Sequence, residues 1–180
     1  RQQRWFSSSK PRSSPAGSTN ADHDSERRTL EQRLKRYDLR IATLARGDER
    51  AARLMKVEGV GPLIATALIA AVGDARQFHR GRELSAWLGL VPRQHSSGGH
   101  TMLLGISKRG DRYLRTLLIH GARSMLHRVQ RKRDRRSRWI GALKERRGAN
   151  IAAVALANKN ARVLWALLAR DEDYRAPTAA

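Results

Sequence analysis

The chain has 180 residues, no cysteine, and a formal net charge of +21 that comes from 37 Lys and Arg against 16 Asp and Glu. This length suits one domain with extensions, and the lack of cysteine excludes disulfides, thiolate zinc sites and cysteine nucleophiles. So large a positive excess indicates a polyanionic partner, either nucleic acid or an anionic membrane surface. No uninterrupted apolar run approaches the roughly 20 residues of a spanning helix, and the N-terminal stretch lacks the apolar segment of a secretory signal. We therefore expect a nucleic-acid partner, no membrane, and a reducing cytoplasm.

The N-terminal quarter divides into a polar segment and a helix. Residues 1–23 are rich in Ser, Pro, Asn and Arg, which predicts disorder or a linker remnant. Residues 24–50 predict an amphipathic, coiled-coil-like connecting helix, with Asp24 or Ser25 as its N-cap. Such a seam either joins a second copy of the chain or packs on the chain's own domain. Its apolar positions recur at spacings of four and three, at Leu30, Leu34, Tyr37, Ile41 and Leu44.

A glycine-rich hairpin opens the domain that we expect over residues 51–175. Within residues 54–73, Gly59-Val60-Gly61 separates two apolar helical segments, and Pro62 stands where the second helix should begin. This stretch resembles the helix-hairpin-helix DNA-binding element. Gly59 and Gly61 would let the backbone approach DNA, and free N–H groups of the new helix would bind a phosphate without reading sequence. The alternative is a tight turn that needs glycine only for a positive φ angle.

Residues 92–107 carry adjacent serines and adjacent glycines in the stretch "HSSGG". This composition is poor for a helix or a central strand, so we predict an irregular loop. Gly98 and Gly99 would bring the backbone close to DNA and free the neighbouring hydroxyls from packing. A serine hydroxyl that attacks a phosphodiester needs a base and positive charge on the phosphate oxygens. His95 and His100 flank the serines and could accept the proton.

The segment over residues 108–147 is the most basic part of the chain. It contains 15 Lys and Arg against three acids, a net of +12, which is too dense for a simple solvated face unless an anion lies between the charges. We expect part of this segment to fold back toward the serines and share one phosphate with them, because the planar fork of arginine grips two phosphate oxygens. The residues expected to do so are Lys108, Arg109, Arg112 and Arg115.

The last apolar stretch, residues 150–170, predicts a core helix. Three polar residues, Asn158, Lys159 and Asn160, interrupt it and either face DNA or cap a buried network. No segment shows sustained strand alternation, and no histidines or acids have metal-ligand spacing. The predicted fold is therefore mainly α, a compact helical domain that carries no metal.

Four blocks occur in a fixed order: "VEGVGPLIATALIAAVGD", "AWLGLVPRQHSSGG", "GISKRGDRYLRTLLIHGAR" and "VALANKNARVLWALL". Together they resemble the C-terminal, serine-bearing domain of insertion-sequence transposases of the IS110 type (with IS116 and IS902 relatives), the DEDD transposases related to the Piv invertase. The resemblance covers residues 25–175 and implies bacterial DNA recombination, with Ser97 as the nucleophile, Ser96 as runner-up and Ser107 third. It also implies an N-terminal RNase H-like domain whose four acids bind Mg²⁺; nothing before residue 25 matches that domain.

The leading hypothesis is therefore a DNA-binding catalytic domain of a transposase, which is inactive without its metal-binding domain. Its expected partners are double-stranded DNA, a guide RNA from the element in some members, and further copies in a dimer or tetramer. The expected location is the bacterial cytoplasm, on the nucleoid. The alternative is a non-catalytic DNA- or RNA-binding module that uses only the hairpin and the basic helices.

Overall fold

A computed structural model describes residues 16–97, 100–129 and 134–175. Its described residues form seven α-helices and one two-stranded sheet, which confirms a mainly α fold. The chain divides into two compact units at the junction of Leu39 and Arg40. In chain order the elements are α1 Ala16–Gly47, α2 Glu49–Met55, α3 Pro62–Val72, α4 Gly81–Trp87, β1 Pro92–Ser97, β2 His100–Ile106, α5 Arg112–Leu126, α6 Arg135–Arg147 and α7 Ala149–Ala169.

Helix α1 begins at Ala16, so the predicted start at Asp24 or Ser25 is wrong. The polar residues before Asp24 are helical although Ser, Thr and Asn have low helix propensity. Local hydrogen bonds accompany this extension, and an N-cap prediction based on the first apolar residue does not register them. Ser25, for example, donates its hydroxyl to the carbonyl of Asp22. The apolar seam on this helix remains largely exposed at Leu30, Leu34, Tyr37 and Leu44.

Asp48 separates α1 from α2 and caps the second helix. Its carboxylate accepts the Arg50 N–H at 2.8 Å, and the Arg50 side chain returns to the same carboxylate. The side-chain hydrogen bond from Arg50 lowers the pKa of Asp48. This local N-cap arrangement explains why one predicted helix over residues 24–50 is two helices.

Helix α7 lies at the centre of the core and packs against α4, α5 and α6. It buries a small-residue and leucine face that includes Ala153, Leu156, Ala161 and Leu164. Alanine permits close helix contacts, which is how one helix touches three others. By length and composition α7 could also cross a membrane. However, 44% of its apolar stretch is buried in the protein, and core helices of soluble proteins can have the same length and composition.

The predicted irregular loop over residues 92–107 is wrong. Strands β1 and β2 pair antiparallel in the register Gln94↔Leu103, His95↔Met102, Ser96↔Thr101 and Ser97↔His100, with an irregularity between Pro92 and Gln94. Gly98 and Gly99 lie outside the described residues. We call this two-stranded element, Pro92–Ile106, the serine hairpin.

Candidate functional site

The serine hairpin stands on the surface of the helical domain. Its described side chains are exposed along β1 from Arg93 to Ser96, and on β2 Met102, Leu103 and Leu104 are 42–67% exposed. Among the hydroxyls of this ribbon whose side chains are described, that of Ser96 is exposed, which is the access that a large substrate requires. The hairpin is therefore presented outward and is not packed into the core.

The base of the hairpin is held firmly by the helical domain. Ser107 N–H donates to the Val91 carbonyl at 2.8 Å, and Lys108 N–H donates to the Gly89 carbonyl at 3.1 Å. Two glycines let these segments touch: a Cβ on Gly89 (φ +70°) would lie 2.1 Å from the Arg109 carbonyl oxygen, and one on Gly110 (φ +91°) would lie 1.7 Å from the Trp87 carbonyl oxygen. Only glycine fits at both positions.

Side chains from two helices complete this base. Arg115 of α5 donates from Nη1 to the Leu88 carbonyl at 3.0 Å, and Asn158 of α7 donates from Nδ2 to the Leu90 carbonyl at 3.0 Å. Because both donors sit on core helices, the hairpin projects from a rigid support. The Ser107 Oγ is buried here and has no hydrogen-bond partner among the described residues.

The two candidate serines occupy different places at the far end of β1. Ser96 is exposed, and its Oγ accepts a hydrogen bond from Gln94 Nε2 at 2.8 Å. Ser97 is the last residue of β1 and pairs with His100 across the hairpin. Because side chains alternate along a strand, positions 95 and 97 share one face and positions 94 and 96 share the other. His95, an exposed residue, and His100, the cross-strand partner of Ser97, thus both stand at positions on the face of position 97.

The predicted cations lie at the opposite end of the hairpin from Ser97. Lys108, Arg109 and Arg112 are exposed just after β2. The six residues of β1 separate base and tip by roughly 16 Å. The expectation that these cations share one phosphate with Ser97 is therefore wrong for this conformation. Along B-form DNA that separation corresponds to about five nucleotides of one strand, so tip and base would meet different phosphates.

Arg115 departs furthest from its predicted role. It is 8% exposed, and its guanidinium bonds to the Leu88 carbonyl and, at 3.4 Å, to the Asp111 carbonyl. We therefore assign it to the support of the hairpin and not to phosphate contact. Its neighbour Asp111 caps α5, accepting the Leu114 N–H at 2.8 Å.

The two glycines of the α2–α3 turn have different surroundings. Gly59 (φ +84°) lies against α5, where an added Cβ would come within 2.6 Å of the Gly121 carbonyl oxygen. Gly61 has φ −97°, is the N-cap residue of α3, and would meet nothing within 4 Å. The turn therefore uses Gly59 for helix packing, whereas Gly61 is the position with room for an approaching backbone. DNA binding by this turn stays a prediction.

A buried polar network, one of the two alternatives predicted for Asn160, lies on α6 and α7, and its member Arg136 was not singled out from the sequence. Arg136 is 5% exposed and donates to Asn160 Oδ1 and to the Tyr174 hydroxyl, and Asn160 in turn donates to the Glu58 carbonyl at 3.1 Å. Asn160 thus belongs to a buried network and Asn158 to the hairpin base. In the sequence, the polar residues that interrupt the apolar helix were the signal for this network. Among the described residues, no group of three or more His, Asp or Glu is placed to hold a metal.

Comparison with known proteins identifies the domain. Residues 51–138, which span α2 to the start of α6 and include the serine hairpin, match the Transposase IS116/IS110/IS902 family. Residues 51–138 are thus similar to the domain of this transposase family.

Relatives agree with this assignment. The chain is 56% identical over 165 residues to a probable family 20 transposase of Pseudomonas aeruginosa, covering 92% of the chain and 49% of the relative. It is 57% identical over 139 residues to the transposase for insertion sequence element IS1111A of Coxiella burnetii, covering 77% and 38%. It is 42% identical over 118 residues to the transposase for insertion sequence element IS1328 of Yersinia enterocolitica, covering 66% and 35%. The chain thus spans about half the length, or less, of these relatives.

Proposed function

We propose that this transposase domain binds double-stranded DNA and presents Ser97 as the nucleophile for strand cleavage and rejoining. The observation that carries the proposal is the serine hairpin itself, whose outer end bears Ser97 while its base is fixed by Arg115 and Asn158. A nucleophile at the end of a rigidly supported ribbon can reach a DNA backbone that cannot enter a pocket. The match to a transposase family supports DNA as the substrate.

The proposed step is a transesterification. Ser97 Oγ attacks the phosphorus of a phosphodiester, so an Oγ–P bond forms and the bond from phosphorus to one sugar oxygen breaks. The serine proton passes to a base, for which His95 and His100, at positions on the same face, are the candidates, and the departing sugar oxygen takes up a proton. Reversal of the step rejoins a strand, and no oxidant, reductant or further reactant is needed.

The exposed cations at the hairpin base lie too far from the tip to stabilise the negative charge of the pentacovalent phosphorus. In this proposal Lys108, Arg109 and Arg112 hold phosphates about five nucleotides from the reacting one, and Gly98 and Gly99 approach the backbone at the tip. Mg²⁺ bound by the four acids of an RNase H-like domain is a proposal drawn from the resemblance alone. A guide RNA and a cytoplasmic, nucleoid-associated location remain proposals drawn from the resemblance.

A nicked suicide DNA tests the serine. In the full-length protein that carries this segment, a nick next to the cleaved bond lets a short fragment diffuse away, so the protein stays covalently attached to DNA. We expect a trapped adduct in the unchanged protein and in Ser96→Ala, and none in Ser97→Ala, with DNA affinity alike in all three. Peptide mapping of the adduct should locate the DNA on Ser97.

A covalent adduct in Ser97→Ala would overturn the assignment of this residue. Binding of DNA without any adduct in the unchanged protein would instead support the non-catalytic binding module. Ser96→Ala is the matched control, because it removes the same hydroxyl one position away on the opposite face of β1.

Recombination joins two duplexes, so we further propose that the protein works as a dimer or tetramer through α1. The support is the exposed seam, where Leu34 is 62% and Tyr37 is 55% exposed. Apolar side chains at this spacing on one helix suit a coiled coil.

A further inference from the structure

A second cationic site lies away from the serine hairpin, in a cleft of about 940 Å³ between the start of α4 and the outer face of α7. We call it the α4–α7 cleft. Six Lys and Arg line it against two acids, alongside Trp165 and Tyr174. The cationic lining residues are Arg80, Arg82, Lys159, Arg162, Arg170 and Arg175.

A close helix contact brings the two sides of the cleft together. A Cβ on Gly81 would lie 3.0 Å from the Arg162 Cα, so α4 begins in direct contact with the α7 backbone. Arg80 and Arg82 flank this glycine, and both are exposed, as is Arg162. Three guanidinium groups therefore open onto one cleft because the residue between two of them has no side chain.

Each acid of the cleft already lies beside a cation, Asp173 beside Lys56 outside the cleft and Glu172 beside the cleft residue Arg170. Asp173 accepts from Lys56 Nζ at 2.8 Å, and Glu172 lies 3.9 Å from Arg170. Lys159 has no carboxylate among its described contacts; its Nζ lies 4.5 Å from the centre of the Trp139 ring. Among the described residues, no carboxylate forms an ion pair with Lys159 or Arg162.

Behind Lys159 stands a buried guanidinium with neutral partners. Arg136 bonds to the Asn160 amide and to the hydroxyl of Tyr174, which itself lines the cleft, and its Nε has no hydrogen-bond partner among the described residues. A buried charge without a counter-ion is costly, and an anion in the cleft would lower that cost. Burial, together with nearby Arg136, Arg162 and Arg135, lowers the pKa of Lys159, which reports the same crowding of positive charge.

We propose that the α4–α7 cleft binds the sugar–phosphate backbone of double-stranded DNA at a site separate from the serine hairpin. Lys159 and Arg162 hold the phosphate from α7, and Arg80 and Arg82 hold it from α4. One helix serves both sites: Asn158 supports the hairpin base, and the next residue, Lys159, lines the cleft. DNA held in the cleft would therefore be fixed relative to the hairpin. The choice of DNA rests on the proposed function.

The test measures the binding of duplex DNA by fluorescence anisotropy over a range of salt concentrations. It compares variants of the 180-residue chain in which two cations are replaced by neutral glutamines. Lys159→Gln/Arg162→Gln is matched with Arg146→Gln/Arg147→Gln, which removes the same charge from the exposed end of α6. Each lost phosphate contact lowers the slope of log K against log salt by about 0.9. For the cleft pair we expect the slope of log K against log salt to fall by about two and the affinity to weaken at least about tenfold. For the control pair we expect less than half of that change in slope.

Arg80→Gln/Arg82→Gln, on the other wall, should give a second loss of similar size, and circular dichroism melts confirm that each variant is folded. Equal effects of cleft and control pairs would overturn the site. So would a loss confined to an RNA duplex of the same sequence, because the ligand would then be RNA. Failure of the proposed function is a different result, namely that the unchanged chain does not bind DNA, or that DNA binds while no serine adduct forms.

Discussion

The guanidinium of Arg115 donates to the carbonyl oxygen of Leu88 at 3.0 Å, across 27 positions of sequence. This bond joins α5 to the segment that leads into the serine hairpin, beside Gly89, where an added Cβ would lie 2.7 Å from the same nitrogen. A residue predicted to contact DNA thus positions the ribbon that carries the candidate nucleophile.

Replacing Arg115 should loosen the hairpin base. In Arg115→Met the Leu88 carbonyl loses its buried donor, which costs about 1–3 kcal/mol of unfolding free energy. Hydrogen exchange should accelerate at the Ser107 and Lys108 amides, which bond to Val91 and Gly89. Urea unfolding with amide exchange by NMR measures both. Arg112→Met, at an exposed position of the same helix, should change stability by less than about 0.5 kcal/mol. Equal exchange in both variants would show that Arg115 does not hold the base.

The α2–α3 turn should separate its two glycines by their stability effects. Gly59→Ala forces a Cβ onto the Gly121 carbonyl at a φ angle of +84°, which should cost about 2–4 kcal/mol. Gly61→Ala meets nothing within 4 Å at φ −97°, so its unfolding free energy should change by about 1 kcal/mol or less. Thermal and urea unfolding decide between them. Comparable losses at both positions would contradict the packing role of Gly59.

Asp134 should make the stability of α6 depend on acid pH. It accepts hydrogen bonds from the Ser137 hydroxyl at 2.6 Å and from the Arg136 and Ser137 N–H groups. Burial raises the pKa of Asp134, but these bonds outweigh burial and lower it. Because the folded pKa lies below the unfolded one, the stabilisation is present above the unfolded pKa of about 3.9 and is lost as pH falls through the folded pKa.

Asp134→Asn imitates the protonated carboxyl at every pH. At neutral pH it should unfold with about 1 kcal/mol less free energy than the unchanged chain, and the difference should vanish as pH falls through the folded pKa of Asp134. Urea titrations over a pH series measure it. A difference that stays constant into acid would show that the charge of Asp134 contributes nothing to the cap.

The exposed seam of α1 should govern self-association. Leu34→Glu places a charge among Leu30 and Tyr37, so a dimer through this seam should weaken by at least about tenfold. Arg33→Glu, one position away on the polar side of the helix, provides the control. Sedimentation equilibrium distinguishes the two, and a monomer for the unchanged chain would remove the seam from the proposal.

The serine hairpin shows where pattern reading failed and why. Two adjacent glycines between short segments are a signal for a two-residue hairpin turn, and here they separate "RQHSS" from "HTMLL". The strands escaped prediction because no side chain described on either strand is buried, so the apolar–polar alternation that marks most strands is missing. An exposed ribbon is defined by its backbone pairing and by the helices that support its base, and hydrophobic periodicity predicts neither of them.

Hydrophobic periodicity and net charge were enough to predict the helical class, the apolar helices α3 and α7 and the cationic character of the domain, because these are local or additive properties. Which cations are exposed depended instead on how the helices pack. Arg115 and Arg136 are buried while Arg112 and Arg162 are exposed, although all four read alike in a basic sequence. The physical reason is that burial depends on which helices meet. Because Gly59 and Gly81 have no side chain, they lie in close contact with the backbones of Gly121 and Arg162, and such contacts join residues far apart in the chain.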